Sequence, residues 1–129
     1  MKLKHALCHL AIILLIHLPS AGAQKGRVLF VSELNGGNHV PAVRTDASGL
    51  VTFFVSEDFK TLEIHGVFAN ITGNLTGCGI HVGDRMTNGP VFLNLIDYVK
   101  GNRIVARIPT PALFVELATS GNFYLNVRS

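Results

Sequence analysis

The sequence predicts an all-β domain, an antiparallel sandwich or barrel with one short helix near its C-terminal end. Three observations carry this expectation. Apolar and polar residues alternate over short runs, as they do along half-buried strands. Clusters of Gly, Asn, Asp and Pro interrupt the chain every 8 to 12 residues, the turn spacing of sandwiches and barrels. Only one segment, 110–121, shows helical rather than strand periodicity.

Taken in order, 28–34 is the first strand, closed by Asn35-Gly36-Gly37-Asn38, residues that tolerate left-handed backbone. The run 50–56 (LVTFFVS) follows the turn Asp46-Ala47-Ser48-Gly49 and stops at Glu57-Asp58, read as solvated turn residues. In 62–69, Leu62, Ile64 and Phe68 fall on one side, and Glu63 and His65 on the other. A Gly-broken strand spans 76–82. Asn88-Gly89-Pro90 is a turn, after which Val91, Leu93 and Leu95 alternate with Phe92, Asn94 and Ile96. Arg103, Val105 and Arg107 alternate with Ile104, Ala106 and Ile108, a strand with one solvated face. Thr110-Pro111 reads as an N-cap with proline in the first helical position. Leu113, Phe114 and Leu117 give that helix its apolar face, and Gly121 stops it. The last strand is 123–127. The near-continuous apolar runs 28–31 and 51–55 read as central strands packed on both faces, the alternative being an exposed β surface for a partner.

The first 23 of the 129 residues read as a cleavable secretory signal peptide. Lys2 and Lys4 supply its positive start. Ala6 to Leu18 is an apolar stretch interrupted by His9 and His17, broken by Pro19 and Ser20. Ala21-Gly22-Ala23 offers the small residues a signal peptidase needs, so cleavage falls between Ala23 and Gln24. The apolar stretch is well short of the roughly 20 residues that span a bilayer. No other segment is apolar enough to span, and the mature chain is expected to be soluble, with 24–129 forming one domain.

Leader removal changes the charge. The whole chain has 11 Lys and Arg against 8 Asp and Glu. Without Lys2 and Lys4 nine basic groups remain, for a net charge of +1. No basic run or basic–aromatic interleaving remains, which argues against nucleic acid as a partner. Cys8 leaves with the leader, so Cys78 stands alone, either as an intermolecular disulfide or as a buried free thiol. With no internal disulfide, an apolar core must hold the domain.

Several runs together resemble the chordin-type (CHRD) domain. These are Val40-Pro41-Ala42-Val43-Arg44-Thr45, then Ala47-Ser48-Gly49, Ile80-His81-Val82-Gly83, Asn88-Gly89-Pro90-Val91, and 112–127 ending Gly121-Asn122-Phe123-Tyr124-Leu125-Asn126-Val127. The resemblance covers residues 28 to 128. It implies an immunoglobulin-like β-sandwich, similar in plan to Cu,Zn superoxide dismutase, in an extracellular protein that binds other proteins. Two departures stand out. The family's His-Ile-His reads Gly79-Ile80-His81 here, and its Val-Asn-Val-His followed by a further strand reads Asn126-Val127-Arg128-Ser129. Lacking that strand, the sheet is expected to carry an unpaired edge, which invites pairing with another chain.

Two sequons, Asn70-Ile71-Thr72 and Asn74-Leu75-Thr76, mark N-glycosylation acceptors in one loop. His81, Cys78 and Asp84, three residues apart in turn, are weak candidates for a metal cluster, without a second close pair of ligands. His39 and His65 have no sequence reason to join them. There is no G-x-S-x-G elbow, no positioned carboxylate pair and no glycine-rich loop opening a helix. The expected function is therefore non-enzymatic and cofactor-free, a secreted binding module for an extracellular protein, and the resemblance to the CHRD domain implies a growth-factor-type or matrix ligand. Two alternatives stay open. One is a small Cu/Zn-binding, oxidoreductase-like domain. The other is a structural matrix protein, dimeric or larger, assembling through Cys78 or the open sheet edge.

Overall fold

The computed structural model describes residues 5–13, 28–39, 41–84 and 87–129. The expected cleavage site Ala23–Gln24 lies outside the described residues. Among the described residues nine strands form: β1 (His5–Ile13), β2 (Val28–Asn35), β3 (Ser48–Val55), β4 (Thr61–Ala69), β5 (Gly77–Val82), β6 (Val91–Asn94), β7 (Val99–Lys100), β8 (Arg103–Pro109) and β9 (Phe123–Arg128). One short helix, α1 (Phe114–Thr119), precedes β9. The fold is the expected all-β sandwich with a single C-terminal helix.

The strands hydrogen-bond in the order β6-β5-β9-β1-β2-β3-β4-β8-β7, every pair antiparallel. This chain of strands folds over so that β6-β5-β9 and β2-β3-β4-β8-β7 share one core. Phe30, Val51, Phe53, Leu62, Ile64 and Ile104 come from one side, and Ile80, Phe123, Leu125 and Val127 from the other. A 3-10 turn at Ile96–Tyr98 carries the chain from β6 across to β7 and touches both β5 and β8.

Alternation places these residues. Along β3 the burial pattern repeats with period two, Val51, Phe53 and Val55 inward and Leu50, Thr52 and Phe54 outward. The register Phe53↔Ile64↔Ala106 then aligns three inward residues across β3, β4 and β8. Gly66 lies between Val51 and Ile104 in the same way. A Cβ there would stand 2.6 Å from the Val51 side chain and 2.9 Å from that of Ile104, so the bare backbone lets the two β-branched residues meet across β4.

Helix α1 closes one end of the sandwich. Phe114 meets Phe30 edge-on at 5.8 Å, Phe123 at 5.6 Å and Phe53 at 6.2 Å, bridging β2, β3 and β9 through one ring.

Two expectations are corrected, and a third turns on the leader segment. Thr110 does not cap the helix. Its N–H donates to the Lys60 carbonyl as an extension of the β4–β8 pairing, and the helix starts after Leu113, which takes a left-handed conformation at φ 67°. Among the described residues the runs 28–31 and 51–55 are not fully covered on both faces: outward Leu29, Val31, Thr52 and Phe54 are half-buried and Leu50 beside them is exposed. The edge expected at β9 of the mature chain is covered here by a strand of the segment read as leader. β9 is flanked by β5 and by β1, with His5↔Arg128 to His9↔Tyr124 in register, while β1 pairs on its other side with β2.

Candidate functional site: the outward sheet face

An antiparallel sheet with one solvated face normally turns polar residues to water. The outward face of β3, β4 and β8 departs from that rule. Leu50 and Val67 are direct cross-strand partners, 48% and 49% exposed, and Val105, 61% exposed, lies opposite His65 on the next strand. Together with Thr52, His65 and Arg103 they line a shallow depression of about 350 Å³. The strip continues over half-buried Val31 and Leu29 of β2, which stand in register with Thr52 and Phe54.

Charge frames the strip. Glu63 binds Arg107 at 3.4 Å across β4 and β8, and sits 4.0 Å from His65 on its own strand. The Phe54 ring meets the His65 imidazole edge-on at 6.4 Å, and the Thr52 hydroxyl donates to the His65 carbonyl at 3.1 Å. Arg103 is exposed beside Val67. A partner on this face would bury branched aliphatic side chains at the centre and meet an acidic and basic rim, the anatomy of a protein–protein contact.

The residues singled out from sequence fall elsewhere. Cys78 is in the core, 3% exposed, and burial pushes its thiol up to about 12 from an ordinary 9.0. His81 sits on the opposite face of β5, since it pairs with Tyr124 whereas Cys78 pairs with Val127. Its ring stacks on Tyr124 at 5.2 Å and its Nδ1 donates to the Gly89 carbonyl at 2.9 Å. Asp84 lies beyond the strand, accepting from the Thr87 hydroxyl at 2.8 Å. The trio is not brought together. Among the described residues no group of three His, Cys, Asp or Glu side chains is placed to hold a metal ion. His39 bonds the Pro41 carbonyl at 2.8 Å, whereas His65 is exposed on the outward face of β4.

Both sequon asparagines are exposed in the loop between β4 and β5. Asn70 has φ 55° and its Nδ2 donates to the Asp46 carbonyl at 3.1 Å. Asn70 and Asn74 border a cavity of about 580 Å³ floored by Phe68, Ile71, Leu75 and Ile96. Glu57-Asp58 does form the β3–β4 turn. The Ser56 hydroxyl and the Lys60 N–H both donate to Asp58, in that order of influence holding its carboxyl below the usual carboxylate value.

Sequence reasoning missed the strip as a site. Leu50, Val67 and Val105 come from three strands, and only the register makes them neighbours. The one local signal was an apolar residue on the polar side of each alternation, as with Val105 between Arg103 and Arg107. Among the described residues no helix is long and apolar enough to cross a membrane. A family model described as the CHRD domain matches residues 30–129. No curated protein and no solved structure gave a match to the chain.

Proposed function

The chain belongs to the CHRD domain family, and from that premise we propose that it is a secreted, N-glycosylated binding module that holds an extracellular protein against the outward face of β3, β4 and β8. Its role is to bind, not to catalyse. The observation that carries this reading is the strip of Leu50, Val67 and Val105, aliphatic side chains 48% to 61% exposed and contiguous across three strands. Exposed apolar strips with a charged rim are where soluble proteins meet partners. The partner's chemistry follows from the strip: a protein surface with an aliphatic or aromatic centre, flanked by groups that answer Arg103, Arg107 and Glu63. A growth-factor-type ligand or a matrix protein fits that description.

The test is a binding panel. The protein is secreted from a eukaryotic host and its affinity measured against growth-factor-type ligands and matrix proteins, beside a Val105→Glu variant. A carboxylate in the centre of the strip must be desolvated on docking, so the expected result is a saturable partner whose Kd rises about tenfold or more in the variant, roughly 1.4 kcal/mol. Melting temperature should hold, because Val105 is exposed. Equal binding by the variant would move the site off this face. No binding across the panel would sink the reading.

A further inference from the structure

Strand β1 lies within the segment read as a cleavable leader, and it fills a gap between β2 and β9. Once residues 1–23 leave, those two strands face each other across the width of one strand. We propose that this slot is a strand-acceptor site, which takes an extended segment of another polypeptide running antiparallel to both walls. The inference rests on the leader reading and adds a second site to the outward face.

Three observations carry it. The slot is built for a strand: β1 holds register with β2 from Leu7↔Asn35 to Ile13↔Leu29 and with β9 from His5↔Arg128 to His9↔Tyr124. Its walls belong to the core, with Phe30, Leu34, Leu125 and Val127 all at 2% exposure or less while a strand is seated. Emptied, the slot would give those residues to water and leave the facing N–H and C=O groups of β2 and β9 without strand partners, which favours capture of an occupant.

The third observation concerns what the occupant should look like. Ser32 Oγ on β2, fully buried, and Asn126 Oδ1 on β9 have no hydrogen-bond partner among the described residues. They stand in register with Leu10 and Leu7 respectively. Leucine has neither donor nor acceptor in its side chain, so a different residue type at those two register positions is needed to answer the polar atoms. The fitting occupant carries apolar residues at the core-side positions and a hydroxyl or amide side chain level with Ser32 and Asn126. A second copy does not supply it. Its own residues 5–13 depart with its leader, and the outermost strands in the described order, β6 and β7, are only 4 and 2 residues long.

The protein secreted from the full coding sequence is the material for the test, its N-terminus read by mass spectrometry. Two fluorescent peptides are the probes: residues 5–13 with Cys8→Ser, and the same peptide with Leu7→Asn and Leu10→Ser added. A scrambled peptide is the control. Both probes should bind saturably by anisotropy, the second at least tenfold tighter, and should protect the amides of β2 and β9 from hydrogen exchange. A Ser32→Ala protein should lose most of that preference. If the secreted chain is unfolded alone, either peptide should restore its near-ultraviolet circular dichroism. The proposal is overturned by a secreted chain that still begins at Met1, by probes no better than the scrambled control, by amides of β2 and β9 fully protected in a peptide-free dimer, or by a chain that stays unfolded with both peptides. None of these readings needs a growth-factor or matrix ligand, so the slot and the outward face succeed or fail independently.

Discussion

The thiol of Cys78 shares the core with Val127, its partner across β5 and β9, and burial alone keeps it protonated to about pH 12. In the unfolded chain the same thiol ionises near its ordinary 9.0. Between those two pH values the unfolded state binds fewer protons than the folded one, so stability falls as pH rises. The loss approaches roughly 1.4 kcal/mol per pH unit within the window. A denaturation series from pH 8 to 11 should show this slope, and Cys78→Ala should flatten it. The same burial predicts that an alkylating reagent labels native Cys78 only as fast as the core opens, and labels it at once in denaturant. A disulfide between two copies would need that opening too. The sequence left paired and buried readings open because one cysteine with no partner in view fits both. What separates them is the strand face, since Cys78 falls on the same side of β5 as fully buried Ile80.

At the scale of elements, the loop between β4 and β5 sets the two sequons apart. Asn70 spends its amide nitrogen on the Asp46 carbonyl, stitching this loop to the segment that enters β3, and it does so from a left-handed backbone. Asn74 is exposed, and a glycan on its amide leaves the Asn70–Asp46 bond intact. Glycopeptide mass spectrometry is expected to find Asn74 the fuller site. Asn74→Gln should then remove most of the glycan mass and Asn70→Gln little of it. Dominant occupancy at Asn70 would show that the stitch to Asp46 is dispensable. The strands themselves were legible: apolar runs bounded by turn residues, and period-two alternation in β4 and β8, located β2, β3, β4, β5, β8 and β9 within a residue or two. The helix start was not legible. Thr110-Pro111 has the composition of a cap, but Thr110 donates instead to the Lys60 carbonyl at the start of β4, extending the β4–β8 pairing, and the helix begins four residues later.

Across the whole molecule, one ring in the shared core touches both halves of the sandwich. Phe114 is fully buried and touches Phe30 and Phe53 on one half and Phe123 on the other. Phe114→Ala is expected to cost about 3–5 kcal/mol, since the cavity it leaves is bounded by strands that cannot collapse inward. Urea unfolding should show a lower midpoint. If the ring also couples the halves, the wild-type protein unfolds in one transition and the variant in a broadened one. The neighbour order was beyond the sequence. Nothing in residues 77–82 or 123–128 announces that β5 and β9 lie side by side, and the outward strip exists only once β3, β4 and β8 are in register. Local pattern encodes which side of a strand is buried, whereas long-range pairing decides which buried and exposed residues become neighbours.

The chain has no tryptophan and two tyrosines. Tyr98 is 39% exposed. Tyr124 is buried, its hydroxyl accepting from the Gly89 N–H at 2.6 Å and its ring lying against His81. A tyrosine held in that way, in an asymmetric and dry setting, dominates the near-ultraviolet dichroism of a protein without indoles. The molecule therefore carries a built-in optical reporter at the junction of β5, β9 and the Asn88-Gly89-Pro90 turn. Any event that loosens that corner is visible as a change in one chromophore, with no label attached.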